Sequence, residues 1–177
     1  MYLSIIIPMY NEAAGAASCV RTLAGAMETA DLPGNYEILF SDDGSSDGCG
    51  DIVRETAREL SLTRGEIRVV RSEQNRGKGH AVRLGMQASA GDICVFTDCD
   101  LAYGTDVILR MAERMNAGSG TDVLIGSRVL ATRRDSRAER GSLLPLEMNA
   151  CLPGCVWNAT PRSLSPLERN TGFWTQA

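Results

Sequence analysis

Over the first two thirds of the chain, short apolar runs alternate with stretches of helical period. "YLSIII" (2–7), "YEILFS" (36–41), "EIRVVR" (66–71), "DICVFT" (92–97) and "TDVLIGS" (121–127) read as buried strands. Residues 13–30, about 48–62 and 105–117 read as helices, and 75–90 as a glycine-rich entry into another. Asp47 is the predicted N-cap of the second helix. Strands joined through helices require right-handed crossovers. The pattern therefore predicts an α/β fold with a mainly parallel sheet flanked by helices on both faces.

Beyond Arg128 the pattern stops. Residues 129–177 keep neither period and are interrupted by Pro145, Pro153, Pro161 and Pro166, which break helix and sheet alike. The expected division is one ligand-binding domain over 1–128 and an irregular, disordered tail over 129–177. Such a tail is what a truncated or frame-shifted reading frame produces.

Composition narrows the function. Of 177 residues, 44% are apolar and 23% charged, as in an ordinary globular domain. No apolar run approaches the roughly 20 residues that cross a bilayer. The start, "MYLSIIIPMYNE", has no basic segment before its apolar run, so a cytoplasmic location is expected. The six cysteines show no framework spacing, and Cys94 and Cys99 read as buried thiols. Cys151 and Cys155 form an isolated pair, which with a single histidine (His80) argues against a zinc site. Residues 1–128 carry 12 Lys+Arg against 18 Asp+Glu, and 129–177 carry 6 against 4. An acidic main body excludes nucleic acid as the expected partner.

Those acids share an address. In parallel sheets of this kind, ligands bind beyond the carboxyl ends of the strands, where strand order reverses. The first strand ends in Pro8-Met9-Tyr10-Asn11-Glu12, the second in Asp42-Asp43-Gly44-Ser45, the fourth in Asp98-Cys99-Asp100 and the fifth in Ser127-Arg128. Asp98 and Asp100, two residues apart in an extended segment, point to one side and can share a hard divalent cation such as Mg²⁺. D-x-D alone is common by chance, and two loop-capping acids are the plain alternative. The position after a buried strand raises the cation reading to equal footing. Adjacent Asp42 and Asp43 cannot both face the ligand in extended geometry, so Asp43 is assigned as the contact and Asp42 as a loop organiser. "NRGKGHAVRLG" (75–85) matches neither a P-loop nor G-x-G-x-x-G, and Lys78 is either a phosphate contact or solvated. Arg128 at a strand end suits a diphosphate.

Together, "SIIIPMYNEA", "YEILFSDDGSSDG", "NRGKGHAVRLGMQASAGD", "VFTDCDL" and "DVLIGSR" resemble the family 2 glycosyltransferases of GT-A (Rossmann-like) fold. Within them, the polyprenyl-phosphate (dolichol-phosphate) mannosyl- and glucosyltransferases are the nearest in pattern. The resemblance spans about residues 3–128. It implies a nucleotide-sugar donor, GDP-mannose or UDP-glucose, with Mg²⁺ or Mn²⁺ on its diphosphate. Pro8, Tyr10 and Glu12 match the family's nucleoside-binding segment, and Ser41 and Asp43 its base and ribose contacts. Asp98, Cys99 and Asp100 occupy its D-x-D, with cysteine where alanine is usual, and Arg128 its phosphate-approaching arginine.

The resemblance further implies inverting transfer of a hexose to a lipid phosphate at the cytoplasmic membrane face. Such an acceptor is already anionic and needs no general base, and no Q-x-x-R-W is present. The family's acceptor segments are not recognisable after Arg128, and Arg133, Arg134, Arg137 and Arg140 align with none of them. The alternatives are therefore a catalytically inactive remnant that at most binds nucleotide-sugar, and a nucleotidyltransferase on a similar sheet. The latter is disfavoured because "PMYNE" stands where its phosphate loop belongs.

Overall fold

The computed structural model describes residues 3–117, 123–126 and the backbone of 155–158. In chain order the elements are β1 (Leu3–Met9), α1 (Ala13–Thr29), β2 (Tyr36–Asp42), α2 (Cys49–Arg58), β3 (Gly65–Arg71), α3 (Lys78–Ala88), β4 (Ile93–Phe96), α4 (Thr105–Asn116), β5 (Val123–Ile125) and β6 (Cys155–Asn158). The sheet order is β3-β2-β1-β4-β6-β5. β1, β2, β3 and β4 are parallel, and β6 runs antiparallel between β4 and β5. The expected mainly parallel sheet is present, with one correction. Cys155–Asn158, inside the segment read as irregular, is a strand. Four residues are too few to show a period, and β4 supplies the unpaired edge that recruits them.

β1 and β2 are buried along their whole length because helices cover both faces. Leu3, Ile5, Ile7 and Met9 join one core with Val20, Leu23 and Met27 of α1, Val53 of α2 and Ile108 and Ala112 of α4. Ile6, Leu39 and Cys94 form the opposite core with Met86. On that face α3 lies close to the sheet. A Cβ at Gly85 would meet Ile6 Cγ2 at 2.4 Å, so only glycine permits the approach. The same face also holds a buried acid. The buried Glu37 carboxylate accepts from Ser4 Oγ (2.5 Å), the Ala90 amide (2.7 Å) and Arg68 (2.5 Å).

From β1 the chain passes to β2 and β3 on one side and then returns to β4 on the other, so strand order reverses between β1 and β4. β4 pairs with β1 only as far as Ile6↔Phe96. Pro8, which has no N–H, thus lies in a central strand just beyond the end of its neighbour, where no ladder bond is lost. The early end of β4 opens a crevice at the carboxyl edge.

Candidate active site

The crevice is a cavity of about 540 Å³ lined by Pro8, Met9, Tyr10, Glu12, Asp43, Asn75, Gly77, Lys78, Ala81, Asp98, Cys99 and Asp100. That volume is within the range of about 300–1,000 Å³ usual for small-molecule sites. Pro8, Tyr10, Glu12, Asp43, Lys78, Asp98, Cys99 and Asp100, all singled out from sequence, thus meet in one hollow.

The loops after β1 and β2 are stitched together. The Asn11 amide donates to Ser45 Oγ (3.0 Å), and Asn11 Oδ1 accepts from the Ser46 amide (2.9 Å). Asn11 takes a positive φ of 55°, which asparagine tolerates. Asp47 is not the N-cap of α2. Gly48 holds that position, and Asp47 instead accepts from the amides of Ala13 (2.8 Å) and Cys49 (3.0 Å), tying the starts of α1 and α2 together. Tyr10 projects from this rim half-exposed, at 50%, the one large apolar side chain so placed among the described residues. An aromatic face standing free beside a cavity suits a stacked ring.

Ser41, predicted as a ligand contact, does not reach the cavity, and Asp42 serves the loop, as assigned to it, rather than the ligand. Ser41 is fully buried on the α3 face and donates to the Ala81 carbonyl (2.6 Å). Asp42, also fully buried, pairs with Arg71 and accepts from the Ser45 amide (2.8 Å). Asp43 does line it, but its carboxylate is already engaged. Oδ2 accepts from the amides of Arg76 (2.9 Å) and Gly77 (2.6 Å), and Oδ1 lies 3.0 Å from His80 Nδ1. Asp43 therefore fixes the turn before α3. Gly44 lets that turn come close, since a Cβ there would lie 2.7 Å from the Gln74 backbone and φ is +75°. Asn75, Gly77, Ala81 and Met9 complete the lining and were not assigned from sequence. Their only signal was the "NRG" turn opening α3 and the methionine between Pro8 and Tyr10. Arg128 lies outside the described residues, as do Arg133, Arg134, Arg137 and Arg140.

The two D-x-D carboxylates share the cavity for a different reason than strand alternation. β4 ends at Phe96, and a turn closed by the Leu101 amide on the Asp98 carbonyl (3.1 Å) delivers both. Asp100 Oδ1 accepts from the Ala102 amide (3.1 Å), and Leu101 is held at φ 50°, a strained value for leucine. Asp98 Oδ1 accepts from Lys78 Nζ at 2.5 Å. Cys99, between them, faces Cys19 of α1. The hydrogen bond between the thiols, with burial, pushes the Cys19 thiol well above its ordinary range. Cys19, Cys49, Cys94 and Cys99 are all free and buried.

The donor set fits a divalent cation. An ammonium already sits on Asp98, so the position accepts positive charge. Among the described residues no third His, Cys, Asp or Glu joins to make a closed metal cage. Two carboxylates, with the remaining positions left to phosphate oxygens and water, is how Mg²⁺-type sites are built.

Comparison with known proteins identifies the family and the fold. A dolichyl-phosphate β-glucosyltransferase from Dictyostelium discoideum is 32% identical over 148 residues, covering 81% of this chain and 45% of that one. A dolichol-phosphate mannosyltransferase from Pyrococcus furiosus is 34% identical over 128 residues, covering 72% and 33%. This chain thus spans less than half the length of these curated relatives. Among solved structures, a mannosyltransferase from Pyrobaculum calidifontis in complex with GDP-mannose and Mn²⁺ superposes with a TM-score of 0.57 at 25% identity, covering 68% and 34%. The fold is GT-A, and the family model continues past Arg128 through the segment where the sequence motifs stop. Matching the glycosyl transferase family 2 model over residues 4–170, the chain belongs to that family.

Proposed function

We propose that this protein transfers a hexose from a nucleotide-sugar, GDP-mannose or UDP-glucose, to a polyprenyl phosphate, with inversion at the anomeric carbon. The observation that carries the reading is the convergence of Glu12, Asp43, Asp98 and Asp100 on one cavity at the carboxyl edge of the sheet. The names of the relatives support the donor and acceptor classes.

In this reading Tyr10 stacks on the nucleoside, Glu12 accepts hydrogen bonds from it, and Asp43 holds the turn that closes over it. Asp98 and Asp100 hold Mg²⁺ or Mn²⁺, which when bound supplies charge stabilisation to the departing diphosphate. Arg128, which lies outside the described residues, is assigned to the same phosphates in this reading on its sequence position alone. The acceptor's phosphate is anionic at neutral pH, so its oxygen attacks the anomeric carbon without losing a proton. The new C–O bond forms opposite the bond that breaks to the diphosphate, which inverts the centre. No helix among the described residues is long and apolar enough to cross a membrane. The chain then works peripherally, at the cytoplasmic face, on a lipid presented to it. An inactive remnant gains no support from a family match that runs to residue 170.

Isothermal titration with GDP-mannose and UDP-glucose, with and without Mn²⁺, tests donor binding, and transfer to a short polyprenyl phosphate tests turnover. Asp98→Asn is expected to abolish the metal dependence of binding. Unchanged metal dependence in that variant would refute the site assignment.

A further inference from the structure

We propose that Lys78 is an exchangeable counter-ion of the D-x-D. It neutralises Asp98 until a divalent cation takes its place, and then moves to the donor's diphosphate. The inference rests on the donor reading above and adds a role for one residue.

The cavity is lined by four carboxylates, and Lys78 is the only cationic side chain among its described lining residues. Left unneutralised, so many acids at one rim repel one another. Lys78 Nζ stands 2.5 Å from Asp98 Oδ1, with the lysine side chain 50% and the aspartate 31% exposed. A pair this open is weak and exchanges easily. Its root, by contrast, is fixed. Lys78 is the first residue of α3, and the two preceding amides, Arg76 and Gly77, are both held by Asp43. The long side chain can therefore swing from a fixed point within the cavity, and an ammonium serves a phosphate as well as a carboxylate.

A divalent cation and an ammonium cannot both occupy the Asp98 carboxylate without strong repulsion. Metal binding alone must displace Lys78 and leave it without a partner. Metal binding together with a diphosphate gives the displaced ammonium a new one. Metal and nucleotide affinities are then coupled, each raising the other.

The test compares wild type with Lys78→Met and Lys78→Arg. Mn²⁺ alone is followed by the electron paramagnetic resonance of the free ion, and GDP and UDP by calorimetry. Removing the competitor is expected to tighten Mn²⁺ binding in Lys78→Met by roughly threefold. The same variant is expected to weaken GDP or UDP binding by roughly tenfold, and Lys78→Arg to restore it. Opposite shifts for the two ligands are the signature, because damage to the fold would weaken both. Mn²⁺ affinity that is unchanged or lower in Lys78→Met, or diphosphate affinity that is unchanged, overturns the exchange. Failure of the wild-type chain to bind either nucleotide overturns the donor reading itself, and so is distinguished from failure of the exchange.

Discussion

Asp43 separates a residue that builds the site from one that touches the ligand. It is 2% exposed, and its carboxylate receives two backbone amides and faces one imidazole. A hydrogen bond to a charged group contributes about 1.5–3 kcal/mol, and leaving amides without an acceptor costs that again where water cannot reach. Here the amides belong to exposed residues, so water replaces part of the loss. Asp43→Ala is therefore expected to cost about 2–3 kcal/mol in all. With a urea dependence of about 2 kcal/mol per molar, the unfolding midpoint should fall by about 1–1.5 M. Asp43→Asn keeps an oxygen for the two amides but loses the charge and turns an amide nitrogen toward His80, so about 1 kcal/mol is expected. Donor affinity should fall in step with stability, because the turn carrying Asn75, Gly77 and Lys78 loosens. Urea unfolding followed by circular dichroism, with calorimetry of donor binding on the same variants, makes the measurement. If Asp43→Ala loses donor binding while its midpoint stays within about 0.2 M of wild type, the carboxylate serves the ligand and the account of the turn is wrong.

Two further outcomes test the fold around the site. Gly85→Ala places a methyl against the buried Ile6 side chain and should cost about 1–3 kcal/mol. Gly79→Ala, in the same helix with nothing within 4 Å of the added carbon, should be neutral or stabilising. Equal stability of the two variants in urea would remove the close approach of α3 as the reason for glycine. Glu28 is held down to about 2, from an ordinary 4.5, chiefly by the Thr63 hydroxyl and then by Tyr36. Its folded value lies below its unfolded one, so its contribution is complete above pH 4.5 and is lost as pH falls toward 2. Glu28→Gln should flatten the decline of the urea midpoint across that window, and a decline as steep as wild type would contradict the network.

The sequence by itself determined the order of strands and helices, because a period of two or of 3.6 is a local property that survives in a linear string. It also determined that Glu12, Asp43, Asp98 and Asp100 belong together, since each follows a parallel strand and all such ends share one edge. What it left open is which way each side chain turns. β1 and β2 are buried on both faces, so neither carries the apolar–polar alternation that marks an inside and an outside. The fates of Ser41 and Asp42 were decided by α3 packing on one face and Arg71 reaching in from β3. The same holds for Lys78 on Asp98, twenty residues apart, and for β6, which is a strand because β4 offers it an edge. Partners distant in the chain meet only when the sheet assembles, and which of two buried faces a residue joins depends on which helix arrives there.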